Sequence, residues 1–147
     1  MQRRIFLLGS AAILLLPVSA NADTGTHATL YKNPQCSCCE GYADYLRQNG
    51  FQVDVKPTND LAEISRKAGV PAELEGCHTT FIDGYVIDGH VPVNVVRKLL
   101  TEKPAIVGIT LPGMPMGSPG MAGTKTEKFV IYALTKDGKA PTVYATE

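Results

Sequence analysis

The stretch "ATLYKNPQCSCCEGYADYLRQNG", residues 28–50, sets three of the chain's four cysteines between a strand pattern and a helix pattern. Ala28–Lys32 is short and partly apolar, and Asn33-Pro34 follows it, which reads as a strand running into a loop. Tyr42, Tyr45 and Leu46 then fall at i, i+3 and i+4, with Gly50 behind them, so a helix is predicted from Cys38 to Asn49. The cysteines thus sit where a strand hands over to a helix. Cys36 and Cys39 alone would form a C-x-x-C redox pair, but Cys38 lies between them and leaves a metal claw or a nucleophile equally open.

Working outward, "FQVDV" (51–55) alternates as a strand, and Asn59 or Asp60 can cap a helix over "LAEISRKAG" (61–69) that buries Leu61, Ile64 and Ala68. "TTFI" and "YVID" flank Asp83-Gly84, a dipeptide that supplies the positive φ angles of a type I′ hairpin turn. Pro92 suits the first turn of a helix reaching about Glu102, with Val95, Val96, Leu99 and Leu100 inward. "LPGMPMGSPGMAG" (111–123) is too rich in Pro and Gly for either element and reads as a loop. "EKFVIYAL" and "PTVYAT" close the chain as a hairpin turned at Asp137-Gly138. The order β-α-β-α-β-β-α predicts an α/β, thioredoxin-like fold: a central mixed sheet, flanking helices and a C-terminal hairpin. That scaffold hosts several chemistries, so it does not fix function.

The N-terminus bounds the compartment. Arg3 and Arg4 precede an apolar run from Ile5 to Leu16, and Ala20-Asn21-Ala22 supplies an A-x-A cleavage site. Residues 1–22 are therefore expected to be a cleaved secretory signal. Residues 23–147 are expected to form one domain in the periplasm, where disulfides persist and no stable membrane insertion remains. Without Arg3 and Arg4 the basic residues number 14 − 2 = 12 against 14 acidic ones, a net charge of −2. That balance offers no basic field for nucleic acid. A domain of this length needs no disulfide staple, so its thiols are spare for function.

At a helix N-terminus the free N–H groups and the dipole favour anions, so Cys36, Cys38 and Cys39 are expected to have lowered pKa values. Cys77 lies just before the third strand, which a thioredoxin-like layout packs beside the cysteine motif. Read alone it would be a small buried hydrophobe; read with the others it completes four sulfurs from two segments. Adjacent Cys38 and Cys39 are expected to point apart, which disfavours one small tetrahedral zinc. Iron–sulfur proteins use other spacings. Sulfur-only ligation in an exported protein favours Cu(I), which accepts two or three thiolates and lets each sulfur bridge more than one ion.

Apart from Met1, every methionine lies in the Pro/Gly-rich loop: Met114, Met116 and Met121. Thioethers bind soft metals without deprotonation, and such a loop is not where core-filling methionines belong. His78, beside Cys77, and His90, just before Val91-Pro92, are further candidates for accessory ligation, although either alone is more often structural.

"YKNPQCSCCEGY" (31–42), "GCHTTFIDGYVIDGHVP" (76–92) and "PGMPMGSPGM" (112–121) together resemble the CopG-type family of periplasmic copper-resistance proteins, a domain of unknown function with a thioredoxin-like fold. The resemblance covers nearly all of the mature chain. It implies a copper-binding protein of metal homeostasis, redox activity included, that holds Cu(I) singly or in a polynuclear cluster. It carries over Cys36, Cys38, Cys39 and Cys77 as thiolate ligands, and implies copper ions and other periplasmic copper-handling proteins as partners. Two enzyme classes compete. "YKNPQCS" is similar to the active-site approach of glutaredoxin-like arsenate reductases, but no arginine lies between Pro34 and Tyr45, and Arg47 sits further along the helix. A thiol–disulfide oxidoreductase would use Cys36 and Cys39, yet that class places a cis-proline before the third strand, where this chain has Cys77-His78.

Overall fold

The computed structural model describes residues 25–137 and 139–147. The expected signal segment and Gly138 of the last turn lie outside the described residues. In chain order the elements are β1 (Thr26–Lys32), α1 (Ser37–Gln48), β2 (Phe51–Pro57), α2 (Leu61–Lys67), β3 (His78–Ile82), β4 (Tyr85–Asp88), α3 (Val93–Glu102), β5 (Gly108–Thr110), β6 (Val130–Leu134) and β7 (Thr142–Thr146), with a short 3-10 turn at Ala72–Leu74. Among the described residues no helix is long and apolar enough to cross a membrane.

The strands form a single mixed sheet in the order β2-β1-β3-β4-β5-β6-β7. β1 runs parallel to β2 and β4 parallel to β5; the other neighbours are antiparallel. Asp83 and Gly84, at φ 48° and 81°, make the expected tight turn between β3 and β4. β5 was not expected from the sequence. Its three residues are too few to show a period-2 pattern, and it exists because it pairs with β4 on one side and β6 on the other. It joins the C-terminal strand pair to the rest, so the hairpin extends the sheet rather than standing apart.

Side chains alternate across the sheet, and that alternation sorts the site. His78, Thr80 and Ile82 of β3 share one face with Ala28 and Leu30 of β1; Thr79 and Phe81 take the other. α1 and α3 cover the first face with Tyr42, Leu46, Val95, Val96 and Leu99 in one continuous core. Burial of such side chains stabilises by about 1.5–3 kcal/mol each before entropy is counted. The helices are tied together where Tyr45 Oη accepts from Val93 N–H (3.0 Å) and Arg97 donates to the Asn49 carbonyl (2.8 Å). α2 packs on the opposite face, burying Leu61 and Ser65 while Ile64 and Ala68 stay half-buried. Ser65 is buried there because its hydroxyl meets Thr79 Oγ1 at 2.6 Å. Asp60 occupies the cap position of α2 without capping it through its side chain; instead Thr58 Oγ1 accepts from the Asp60 N–H.

Candidate metal centre

β1 ends at the cysteine loop, and a buried lysine shapes that junction. Lys32 falls in register with Ala28 and Leu30, so alternation turns its side chain inward and leaves it 3 % exposed. Its ammonium donates to the carbonyls of Asn33 (3.2 Å) and Pro34 (3.3 Å) and pairs with Glu40 at 3.1 Å. The charge therefore clamps the loop that carries Cys36. Cys36 is the N-cap of α1, held by a turn from its N–H to the Asn33 carbonyl (3.1 Å).

Cys36 and Cys39 form a disulfide with their Cα atoms 5.6 Å apart, while Cys38 and Cys77 are free thiols. Cys39 is fully buried and Cys36 half-buried. Cys77 Sγ lies 3.4 Å from Cys39 Sγ and 3.7 Å from Cys38 Sγ, and Cys38 Sγ lies 3.3 Å from Cys36 Sγ. All four sulfurs fall within 4.8 Å of one another. Adjacent Cys38 and Cys39 thus converge rather than point apart. They start the first turn of α1, and Cys77 approaches that turn from the head of β3, where both can reach it.

Cys77 also belongs to a second group. His90 Nε2 is 3.0 Å from its sulfur and His78 Nδ1 is 3.4 Å away, and these three donors again lie within 4.8 Å of one another. His90 Nδ1 donates to the Pro119 carbonyl at 2.6 Å. A carbonyl only accepts, so in the neutral ring the lone pair is on Nε2 and faces Cys77. Both imidazoles are fully buried, and burial lowers the pKa of each; His90 lowers that of His78 further. They are neutral and able to bind a metal at pH 7.

Burial acts oppositely on the thiol. The Cys77 pKa is pushed up to about 12, first by desolvation and then by Cys38 beside it. Metal binding must therefore displace a proton there. The lowered pKa values expected for Cys36 and Cys39 do not describe this state, because both sulfurs are in the disulfide.

Three further residues support the site and were not singled out in the sequence. Tyr42 stacks on His78 at 4.6 Å between centroids and donates its hydroxyl to the Val91 carbonyl at 2.9 Å; burial raises its pKa. Asp88 is buried on the α2 face, where it accepts from Gly76 N–H and from the Thr79 hydroxyl (2.8 Å), fixing the backbone just before Cys77. Lys32 is the third. The alternation of β1 was the available signal for it, since its position matches Ala28 and Leu30.

The methionine loop meets the centre through its backbone. Gly120, at φ 81°, packs so closely on α1 that a Cβ there would come 2.5 Å from Tyr42 N, and a Cβ on Gly41 would come 2.9 Å from Gly120 O. Both positions require glycine. Met114 and Met116 are 43 % and 62 % exposed, and Met121 is half-buried.

A mixed α/β domain that gathers four sulfurs and two buried imidazoles around one cysteine has the donor set of a soft-metal site. The profile of the family described as "Protein of unknown function, DUF411" matches residues 74–121, which hold Cys77, both histidines and the three loop methionines. Two solved structures, "Copper resistance protein copG- Form 2" and its "Form 1", superpose with TM-scores of 0.77 and 0.76. Each is 34% identical, and the match covers 84% of this chain and 98% of theirs. The chain belongs to the CopG copper-resistance family. No curated protein matches it in sequence.

Proposed function

We propose that this is a periplasmic copper-binding protein of copper homeostasis and resistance, which holds Cu(I) in a thiolate cluster of Cys36, Cys38, Cys39 and Cys77. The observation that carries the reading is the convergence of those four sulfurs, from two separate segments, within 4.8 Å of one another. Thiolates are soft ligands suited to Cu(I), and each sulfur can bridge more than one ion. The structural relatives, which are copper resistance proteins by name, support copper as the metal. The strand order β2-β1-β3-β4, with β1 and β2 parallel and β3 antiparallel to both its neighbours, supports a thioredoxin-like reading of that part of the sheet. The basic, apolar and A-x-A pattern of residues 1–22 supports export.

The reading includes redox activity. The Cys36–Cys39 dithiol can give up two electrons and two protons, forming the disulfide and reducing two Cu(II) to Cu(I). The reverse requires a thiol reductant. Closing the disulfide withdraws two of the four ligands, so the oxidation state of the pair sets the capacity of the cluster.

Anaerobic titration of the reduced protein with Cu(I), in competition with a chelator and followed by X-ray absorption, tests the proposal. Sulfur as the dominant neighbour of copper is expected. Mainly nitrogen or oxygen neighbours would refute it.

One observation favours a second reading, a thiol–disulfide oxidoreductase. A cavity of about 490 Å³, lined by Asn33, Pro34, Gln35, Cys36 and Asn59, opens at the half-buried sulfur of the disulfide. Against a general role, Cys77 stands where that class places its cis-proline, and no cis peptide occurs among the described residues. The arsenate-reductase alternative loses its nearest arginine, because Arg47 is tied to Asp44 and to the Val53 carbonyl on β2.

A further inference from the structure

We propose that Lys32 is a positioning residue for the Cys36–Cys39 redox pair, and that its ammonium favours the disulfide by holding both ends of the cysteine motif in place. The proposal deepens the redox part of the reading above and rests on it.

Lys32 breaks the pattern of its strand. It shares a face of β1 with the fully buried Ala28 and Leu30, so an apolar side chain there would continue the core. The lysine is 3 % exposed instead, and burying an ammonium is costly unless its hydrogens are taken up. All three are: the carbonyls of Asn33 (3.2 Å) and Pro34 (3.3 Å) and the carboxylate of Glu40 (3.1 Å) accept them. A local rule broken at this cost, in a chain otherwise patterned for its fold, is expected at a functional site.

The three acceptors bracket the motif. Asn33 and Pro34 precede Cys36, and Glu40 follows Cys39 directly in the first turn of α1. The Asn33 carbonyl also accepts from the Cys36 N–H at 3.1 Å, so one oxygen joins the ammonium to the backbone of the first cysteine. The base of the lysine is itself fixed. Lys32 pairs with Pro57 of β2 on one side and His78 of β3 on the other, and its carbonyl accepts from the Thr58 N–H at 2.8 Å. The segment it holds is exposed from Asn33 to Gln35.

The consequence falls on the dithiol. Without the ammonium, an open disulfide leaves this exposed loop free to move away from the helix, and closing the bond must reorder it. With Lys32 in place the ordering is present before the bond forms. Removing the ammonium therefore loosens the dithiol more than the disulfide, which the S–S bond still holds, and makes the disulfide easier to reduce. A purely electrostatic effect has the opposite sign: a cation acting on the sulfurs through its field stabilises thiolates, so its removal disfavours the dithiol.

Metal-free parent, Lys32→Met, Glu40→Ala and Glu40→Gln are each equilibrated anaerobically with reduced and oxidised glutathione. The dithiol gives two electrons and two protons to one oxidised glutathione, leaving the disulfide and two reduced molecules. Thiol trapping with peptide mapping reads Cys36 and Cys39 apart from Cys38 and Cys77. Lys32→Met removes the three hydrogens and is expected to lower the equilibrium constant for closure by about tenfold, a rise of about 30 mV in potential. Glu40→Ala cuts the helix side of the tie and is expected to shift the constant the same way by less. Glu40→Gln loses the charge but keeps an oxygen for the ammonium, and is expected to stay nearer the parent. An unchanged or raised constant in Lys32→Met would overturn the proposal, as would equal shifts in the two Glu40 variants. If Lys32→Met fails to fold, the Glu40 pair decides. Cu(I) uptake by the reduced parent is read separately. Its absence sinks the copper cluster and leaves this result standing, whereas unchanged constants with normal uptake sink this proposal alone.

Discussion

Replacing Asp88 with Asn should stabilise the protein at neutral pH, and the reason lies in counting hydrogens. Asp88 Oδ2, Thr79 Oγ1, Ser65 Oγ and the Leu61 carbonyl form a buried chain with contacts of 2.8, 2.6 and 3.0 Å. Each contact needs a hydrogen, and the two hydroxyls supply two. While Asp88 is ionised, Thr79 donates to it and Ser65 donates to the Leu61 carbonyl, so the Ser65–Thr79 contact has no hydrogen; only an acid proton on Asp88 supplies the third, Thr79 then turning to donate to Ser65. Burial agrees, raising the Asp88 pKa from 3.8 to about 6 against the opposing effect of the Gly76 and Thr79 hydrogen bonds. The folded chain holds this proton more tightly than the unfolded chain. The contribution of Asp88 to stability is therefore complete below about pH 4 and is lost as the pH rises through about 6, a difference of about 3 kcal/mol. Asparagine stays neutral throughout. Its oxygen can still accept from Gly76 N–H, its amide can donate to Thr79, and Thr110 Oγ1, whose own hydrogen goes to the Leu74 carbonyl, lies beside the second amide hydrogen. After allowance for imperfect amide geometry, a gain of about 1–2 kcal/mol at pH 7.5 and none at pH 4 is expected. Urea unfolding of parent and variant across this range measures it, and the difference between them cancels every other titration. A variant less stable than the parent at pH 7.5, or a gap that does not grow with pH, would refute the reasoning.

Cys38→Ser should lower the Cu(I) stoichiometry of the reduced protein while leaving the Cys36–Cys39 disulfide able to form; unchanged stoichiometry with intact disulfide reductase activity would favour the oxidoreductase instead. Burial pushes the Cys77 thiol up to about 12 in the disulfide-bonded state, so copper bound there displaces a proton, and the apparent Cu(I) affinity should rise by about tenfold per pH unit for each proton released. A flat profile between pH 6 and 8, measured against a chelator of known protonation, would contradict that ligation. Changing Met114, Met116 and Met121 together to Leu should slow Cu(I) loading at limiting metal and leave final occupancy and thermal stability nearly unchanged; equal rates would rule the thioethers out as the capture site.

Much of the centre could be read from the chain because it is built at element ends, where sequence signals are strongest. Asn33-Pro34 marks the exit of β1, the Asp83-Gly84 turn fixes the β3–β4 register, and Pro92 starts α3; that element order, taken as a thioredoxin-like layout, sets the two cysteine segments side by side. What escaped was set by tertiary pairing. β5 is three residues long and owes its existence to β4 and β6, and Ser65 replaces Ile64 on the buried face of α2 because Thr79 waits opposite. The C-x-x-C spacing marked Cys36 and Cys39 as a redox pair, and they are the two that form the disulfide. The shared position of Cys77 does not follow from spacing; it depends on how closely β3 approaches the first turn of α1. Nothing in the hairpin pattern marked Asp88 for burial; it pairs with Thr79 on the face that α2 covers.

The backbone contact between Gly41 and Gly120 gives the methionine loop its place in this scheme. The Pro119 carbonyl holds His90 in the β4–α3 connection, and Gly120 lies against α1 at Tyr42, so residues 119 and 120 are fixed to one of the imidazoles and to the helix that carries Cys38 and Cys39. Met121 follows directly and is half-buried, whereas Met114 and Met116 lie on the outer arm and are exposed. The thioethers are therefore ordered from solvent inward, ending beside the segment that orients His90. A neutral ligand that binds without releasing a proton suits the outer positions, and a thiol that must lose one suits the inner position. Under the proposed capture role, copper taken up along this order would pass from ligands whose affinity is independent of pH to one whose affinity rises with it. On that reading the proton displaced at Cys77, whose thiol burial pushes up to about 12, makes the last step more favourable as the pH rises.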